Sequence, residues 1–238
     1  MPTALITGSG RRIGKALAIK FAEKGWDIIV HYFHTADGAE DTVKQIEALG
    51  RKSFIIKADL RDETQIMSAF DKAFEKMGIP QLLINNSGIF PDKKPVTETG
   101  IDDWDNVMNI NLRSQFLCAR EFAKAAGKGR IINIGSLGGL EAWDRRTVYN
   151  VSKAGVIHLT KALAKELAPG FSVNCVCPGS ILIPGEPGPA DQDMRSVSRI
   201  PKNRLGNVDD VFDAVYFFAT ASDYITAQTI NVDGGAHI

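Results

Sequence analysis

Seven short apolar runs recur along the chain, separated by longer stretches with helical spacing. The runs are ALIT (4–7), DIIVHY (27–32), SFIIKA (53–58), LLIN (82–85), RIINIG (130–135), SVNCVC (172–177) and TINV (229–232). They carry few polar positions, the pattern of parallel strands covered on both faces. Between them lie helical patterns at about 12–24, 36–49, 62–76, 102–126, 148–168 and 207–221. Asp62 and Gln65 are spaced as an N-cap pair at the start of the third. This alternation requires crossover connections. It predicts an α/β fold, a doubly wound seven-stranded parallel sheet with helices on both faces. The runs begin near residue 3 and end near 232, so one domain is expected over 1–238, without linker or repeat.

Charge narrows the range of partners. Lys and Arg total 28 and Asp and Glu total 28, giving no net charge. Neither nucleic acid nor an anionic membrane is expected as a partner. No apolar run is long enough to span a bilayer. Met1 and Pro2 run straight into an apolar stretch and a glycine-rich loop, which predicts no signal peptide. The cysteines Cys118, Cys175 and Cys177 make no C-x-x-C. The Cys-x-Cys pair lies in an apolar strand and reads as buried packing, which suits a reducing cytoplasm. No histidine or carboxylate group has metal-like spacing, so no metal is predicted.

Three stretches bear on chemistry. TGSGRRIG (7–14) lies between the first strand and the first helix, where a helix N-terminus can hold a pyrophosphate. Its glycines, Gly8, Gly10 and Gly14, are one residue too widely spaced for G-x-G-x-x-G. A tight turn and a nucleotide loop both fit. Arg11 and Arg12 follow, as solvated charge or as a clamp for an extra phosphate. The stretch after strand two, His31-Tyr32-Phe33-His34-Thr35, has no carboxylate to bind ribose hydroxyls. Together these favour NADP(H), with NAD(H) not excluded; alternatively His31 and Tyr32 simply alternate across the strand. Residues 178–206 are rich in proline and glycine, including Pro184, Gly185, Pro187, Gly188 and Pro189, and read as a substrate lid.

The third stretch is YNVSK (149–153). Tyr149 and Lys153 are spaced i to i+4, on one helical face. They form either a solvated stripe or a proton donor with the cation that tunes it. Ser136 follows the fifth strand, and the fold can bring all three to one crevice.

With these motifs in order, the sequence resembles the single-domain short-chain dehydrogenase/reductases, with a Rossmann-type fold. The likeness runs through residues 7–14, Asp59-Leu60, Asn85-Asn86-Ser87-Gly88, Asn111, Ser136, Tyr149-x-x-x-Lys153, Pro178-Gly179 and Asp233-Gly234-Gly235. It implies a hydride transfer between a nicotinamide and a carbonyl, alcohol or C=N substrate, with Tyr149 as general acid/base. Lys153 would lower the tyrosine pKa and hold the nicotinamide ribose. Ser136 would polarise the substrate oxygen, and Asn111 would position a water behind the lysine. As the other reading, Asn111 is a helix polar group satisfied by backbone. Cofactor contacts would come from Gly8, Ser9, Arg11, Arg12, Ile13, Gly14, His34, Thr35, Asp59, Leu60, Asn86, Ser87, Gly88, Tyr149, Lys153, Pro178, Gly179 and Ile181.

Within that family the details point two ways. Arg12, in place of a more usual glycine, and the HYFHT stretch are similar to pteridine reductases, with His34 replacing an arginine. Phe90 stands where those enzymes stack a pterin, or is a loop anchor, and Ile183 replaces a carboxamide-binding threonine. Ser136 departs from their aspartate. 3-Oxoacyl-[acyl-carrier-protein] reductases share Arg11, Ser136, Tyr149 and Lys153, but Arg195, Arg199, Lys202 and Arg204 are scattered, not a basic patch. Ala227, where glycine is common, suggests an altered final turn. Phe90, Ser136, Tyr149 and Trp143 are the substrate-side candidates, with Asp144 and Arg145 as further lining. A homodimer or homotetramer is expected from the apolar excess on helices 102–126 (Trp104, Val107, Met108, Leu112, Phe116, Leu117) and 148–168 (Val151, Val156, Ile157, Leu159, Leu163). The competing functional reading is a non-catalytic dinucleotide sensor on the same fold.

Overall fold

A computed structural model of the chain describes residues 1–183 and 197–237. Pro184, Gly185, Pro187, Gly188, Pro189 and Arg195, and with them the middle of the expected lid, lie outside the described residues. The strands are β1 (Thr3–Ile6), β2 (Asp27–Tyr32), β3 (Ser53–Lys57), β4 (Leu82–Asn85), β5 (Gly129–Ile134), β6 (Phe171–Pro178) and β7 (Thr229–Val232). They form one parallel sheet in the order β3-β2-β1-β4-β5-β6-β7. Leu5 pairs with Ile29 on one side and Leu83 on the other, so β1 sits at the centre of the sheet.

Helices α1 (Arg12–Glu23), α2 (Ala36–Ala48) and α7 (Val208–Thr220) cover one face. Their fully buried Leu17, Phe21, Ile46 and Val211 pack on Ile6, Ile28 and Val30. Helices α3 (Glu63–Met77), α5 (Ser114–Ala126) and α6 (Thr147–Glu166) cover the other. There Ile66, Phe70, Leu117 and Phe122 meet Leu5, Ile29 and Leu83. Strand residues thus alternate between two apolar layers, which explains the missing polar positions. Asp62 caps α3 as expected, accepting from Thr64 N and Gln65 N at 2.9 and 3.2 Å.

One element differs from expectation. The pattern at 102–126 is not one α-helix. It is α4 (Ile101–Met108), a π turn over Asn109–Arg113, and α5 (Ser114–Ala126). Ala227 holds φ at +62° and its amide still bonds Val173 O at 2.8 Å. The left-handed conformation explains why glycine is common there.

The apolar excess divides as well. Val107, Leu117, Val156 and Leu163 are buried, whereas Trp104, Phe116 and Val151 are exposed. All three cysteines are free and buried, and the Cys175 and Cys177 sulfurs lie 3.8 Å apart beneath Gly135. No described helix is long and apolar enough to cross a membrane.

Candidate active site

The order of the sheet reverses between β1 and β4, and a cleft of about 580 Å³ opens at the carboxyl ends of the strands. One wall is the glycine-rich loop. Thr7 Oγ1 accepts from Asn86 N and Ser87 N at 2.9 and 3.0 Å, and Asn86 Nδ2 donates back to Thr7 O at 2.9 Å. These bonds join the loops after β1 and β4. A Cβ on Gly14 would stand 2.2 Å from Gly8 O and 2.5 Å from Asn86 Nδ2. Only glycine lets the first turn of α1 lie against both loops.

Helix α1 has no side-chain cap at Arg11 and no acidic residue in its first turn, so its positive end is uncompensated from within. Gly8, Arg11, Arg12, Ile13 and Gly14 all line the cleft beside it. Arg12 holds φ at +52°, the left-handed region, which accounts for the glycine usual at that place. Ser9 does not line the cleft, contrary to expectation. Its hydroxyl donates to Ile6 O at 2.8 Å and accepts from His31 N at 3.1 Å, so it braces the loop from behind.

The far wall comes from the end of β2 and the residues after β3. Tyr32, Phe33, the exposed His34 and Thr35 line it with Asp59 and Leu60, and no carboxylate stands in 31–35. Asp59 is paired with Arg61 at 2.6 Å, which holds its carboxyl below the usual range. Ser87, Gly88 and Asn86 carry the lining towards the centre, and Pro178 and Gly179 close it. Ile181 turns away into the core and bridges to Gly206, and Ile183 packs on that same core.

At the inner end, Ser136, Tyr149 and Lys153 come together. Ser136 follows β5, and Tyr149 and Lys153 stand one turn apart at the start of α6. Ser136 Oγ accepts from Gly138 N at 3.1 Å, and the residue stands close enough to the Tyr149 phenol to pull its pKa down. Lys153 Nζ donates to Ile134 O at 2.9 Å.

Here the electrostatics correct the expectation. Burial pushes the Tyr149 phenol up to about 12, opposed by Ser136 and by the Arg146 charge, and raised further by Cys177. Burial pulls Lys153 down to about 8. In the free site burial outweighs the neighbouring groups, so the phenol sits above its ordinary value and not below it.

Asn111 is tied to its neighbours through its side chain. It lies in the π turn with no exposure. Its Oδ1 accepts from Ile89 N at 2.8 Å, and its Nδ2 donates to Ile89 O at 3.0 Å and Ser152 Oγ at 3.1 Å. The side-chain amide thus holds the loop after β4, which fits the reading of Asn111 as a helix polar group satisfied by backbone.

Aromatic side chains surround the phenol. Phe90 meets Tyr149 edge-on at 4.6 Å between ring centres and Trp143 stacks on it at 6.1 Å. The Arg146 guanidinium lies 4.1 Å over the Phe90 ring. Asp144 and Arg145 do not belong to this group; their side chains are 92% and 60% exposed. Arg61, Ile89, Asn106 and Ile110 line the cleft without any motif to announce them, and His31, known from the sequence only as the first residue of the carboxylate-free stretch, lines it too.

Residues 8–237 match the family model described as enoyl-(acyl carrier protein) reductase. A 3-oxoacyl-[acyl-carrier-protein] reductase of Staphylococcus aureus is 34% identical, over 99% of this chain and 98% of its own length. A Burkholderia cenocepacia short-chain dehydrogenase, solved in complex with NADP, superposes with a TM-score of 0.92 at 34% identity, covering 99% of this chain and 97% of its own. A blue fluorescent protein from a metagenomic library, solved with NADPH, gives 0.91 at 34% identity, covering 100% and 98%.

Proposed function

The chain belongs to the short-chain dehydrogenase/reductase family of oxidoreductases, and from that premise we propose that it is an NADP(H)-dependent carbonyl reductase. The observation that carries this reading is the buried Tyr149 phenol beside Ser136, with Lys153 one turn further along α6.

The cleft fits a dinucleotide. Gly14 lets α1 approach both loops closely, the α1 N-terminus is uncapped, and Arg11 and Arg12 stand beside it. Gly8, Ile13, Asn86, Ser87, Gly88, Pro178 and Gly179 would hold the body of the cofactor, with Asp59 and Leu60 at the adenine. The basic pair, His34 and Thr35, and the lack of a carboxylate at the end of β2, favour the 2′-phosphorylated form. The relatives solved with NADP and NADPH support this preference. A bound nicotinamide supplies the hydride.

The chain's own groups supply the rest. With a pKa of about 12 in the free site, Tyr149 is fully protonated at neutral pH and holds a proton ready for a developing alkoxide. Ser136 donates to the same oxygen and fixes its position. Lys153 keeps a positive charge near neutrality and takes part in holding the ribose; the phenolate left after proton transfer is stabilised by it and by Arg146. Phe90 and Trp143 offer apolar faces to the substrate. The same side chains serve the 3-oxoacyl and pteridine readings equally.

Loss of NADPH absorbance with a panel of ketones, quinones, dihydropterins and 3-oxoacyl thioesters tests the reading. Turnover of one class supports it. Silence across the panel, with clear thermal stabilisation by NADPH, replaces it by the dinucleotide sensor. Exposed Trp104, Phe116 and Val151 support self-association through α4–α6, which light scattering at a single-chain mass would remove.

A further inference from the structure

Beyond the catalytic residues, we propose that His31 is a positioning residue for the cofactor, an imidazole clamp that fixes the glycine-rich loop against the segment carrying Asp59. The proposal rests on the dinucleotide reading above. It assigns a role to a side chain that touches none of the reacting atoms.

The geometry is specific. Strand β2 lies between β1 and β3, and His31 is its next-to-last residue. The ring reaches beyond the ends of both neighbours. Its Nδ1 accepts from Gly8 N at 3.0 Å, and its Nε2 meets Ala58 O at 3.1 Å. A backbone N–H can only donate, so Nδ1 must be the bare nitrogen. Nε2 therefore carries the proton and donates to the Ala58 carbonyl. One neutral tautomer satisfies both groups, and neither bond can form if the proton is on the other nitrogen.

The backbone doubles the connection. His31 O accepts from Ser9 N at 2.9 Å, and His31 N donates to Ser9 Oγ at 3.1 Å. One residue thus makes four hydrogen bonds, three to the loop ahead of α1 and one to the residue before Asp59. With His31 buried at 2% exposure, water has little access to replace these bonds. The two anchored segments are opposite walls of the cleft. Their spacing decides whether a pyrophosphate at α1 and an adenine near Asp59 can be held at once. Hydride and proton transfer occur elsewhere, at Ser136 and Tyr149.

The clamp predicts a split between affinity and turnover. His31→Leu removes acceptor and donor together, whereas His31→Gln can accept from Gly8 N with its carbonyl and donate to Ala58 O with its amide. In His31→Leu the NADPH Kd should rise about tenfold or more, with kcat at saturating NADPH within about twofold of wild type. His31→Gln should recover most of the affinity. Wild-type affinity in His31→Leu overturns the proposal, as does a loss of kcat matching the loss of affinity. Amide hydrogen exchange on the cofactor-free protein gives a readout independent of NADPH. The Gly8 amide should exchange faster in His31→Leu and return towards wild type in His31→Gln. If wild type does not bind NADPH, the cofactor reading fails, and unchanged Gly8 exchange in the variants then overturns the clamp too. If His31→Leu does not fold, His31→Gln decides: it must bind NADPH within about threefold of wild type, and a larger loss overturns the proposal.

Discussion

Lys153 donates its ammonium to the carbonyl oxygen of Ile134 across 2.9 Å, tying the start of α6 to the end of β5. The bond fixes the cation in an environment that burial makes hostile to charge, and the ammonium is held only up to about pH 8. A lysine ordinarily keeps its proton to beyond pH 10. The kcat/KM for carbonyl reduction should therefore decline above about pH 8, as Lys153 becomes neutral. A pH–rate profile flat to pH 10 would refute this. Lys153→Ala should reduce both turnover and NADPH affinity, since one side chain serves two tasks.

Tyr149→Phe removes the proton and keeps the ring between Phe90 and Trp143. Turnover should fall by about 10²–10⁴, with NADPH affinity nearly intact. Steady-state kinetics beside a cofactor titration check both halves; undiminished turnover would end the assignment.

His31 also marks the stability of the fold. Burial holds its pKa near 4, against 6.5 unfolded. Between these values the unfolded chain binds the extra proton, so stability is complete above about pH 6.5 and is lost as pH falls towards 4. The loss is on the order of 3 kcal/mol. Carboxylates such as Asp27 and Asp59 titrate lower and add their own losses. The difference in unfolding free energy between wild type and His31→Gln isolates the histidine. It should shift by about that amount between pH 7 and pH 4, and a constant difference would contradict the linkage.

Two non-glycine residues in the left-handed region give opposite expectations on function. Ala227→Gly should stabilise the protein by about 1 kcal/mol without touching the cleft. Arg12→Gly should relax similar strain yet weaken NADPH more than NADH, because the guanidinium is lost from the phosphate end. Thermal melts and paired cofactor titrations test both. Equal weakening of the two cofactors would mean that Arg12 does not read the 2′-phosphate.

Much of this architecture was readable in the chain. Runs such as LLIN and DIIVHY become strands at the stated residues because a strand covered twice has almost nothing polar to misplace. Ser136, Tyr149 and Lys153 meet because strand ends and following helix starts share one edge of such a sheet. What escaped depends on where atoms turn. Lys153 faces Ile134, and Asn111 faces Ile89; neither orientation follows from spacing. Ser9 looked like a ligand-facing residue because its neighbours are, yet its hydroxyl points to Ile6. The π turn at 109–113 was hidden because the apolar pattern of 102–126 continues through it.

That turn also separates what the fold requires from what the site requires. A π turn holds one residue more than the same rise of α spiral needs. Removing a single residue from 109–113 would leave Val107 and Phe122 on their buried sides and close the helix into a regular coil. The sheet would not register the change. The Ile89 backbone, however, would lose the amide that grips it, so the helix carries a residue that is surplus to folding and indispensable to the crevice.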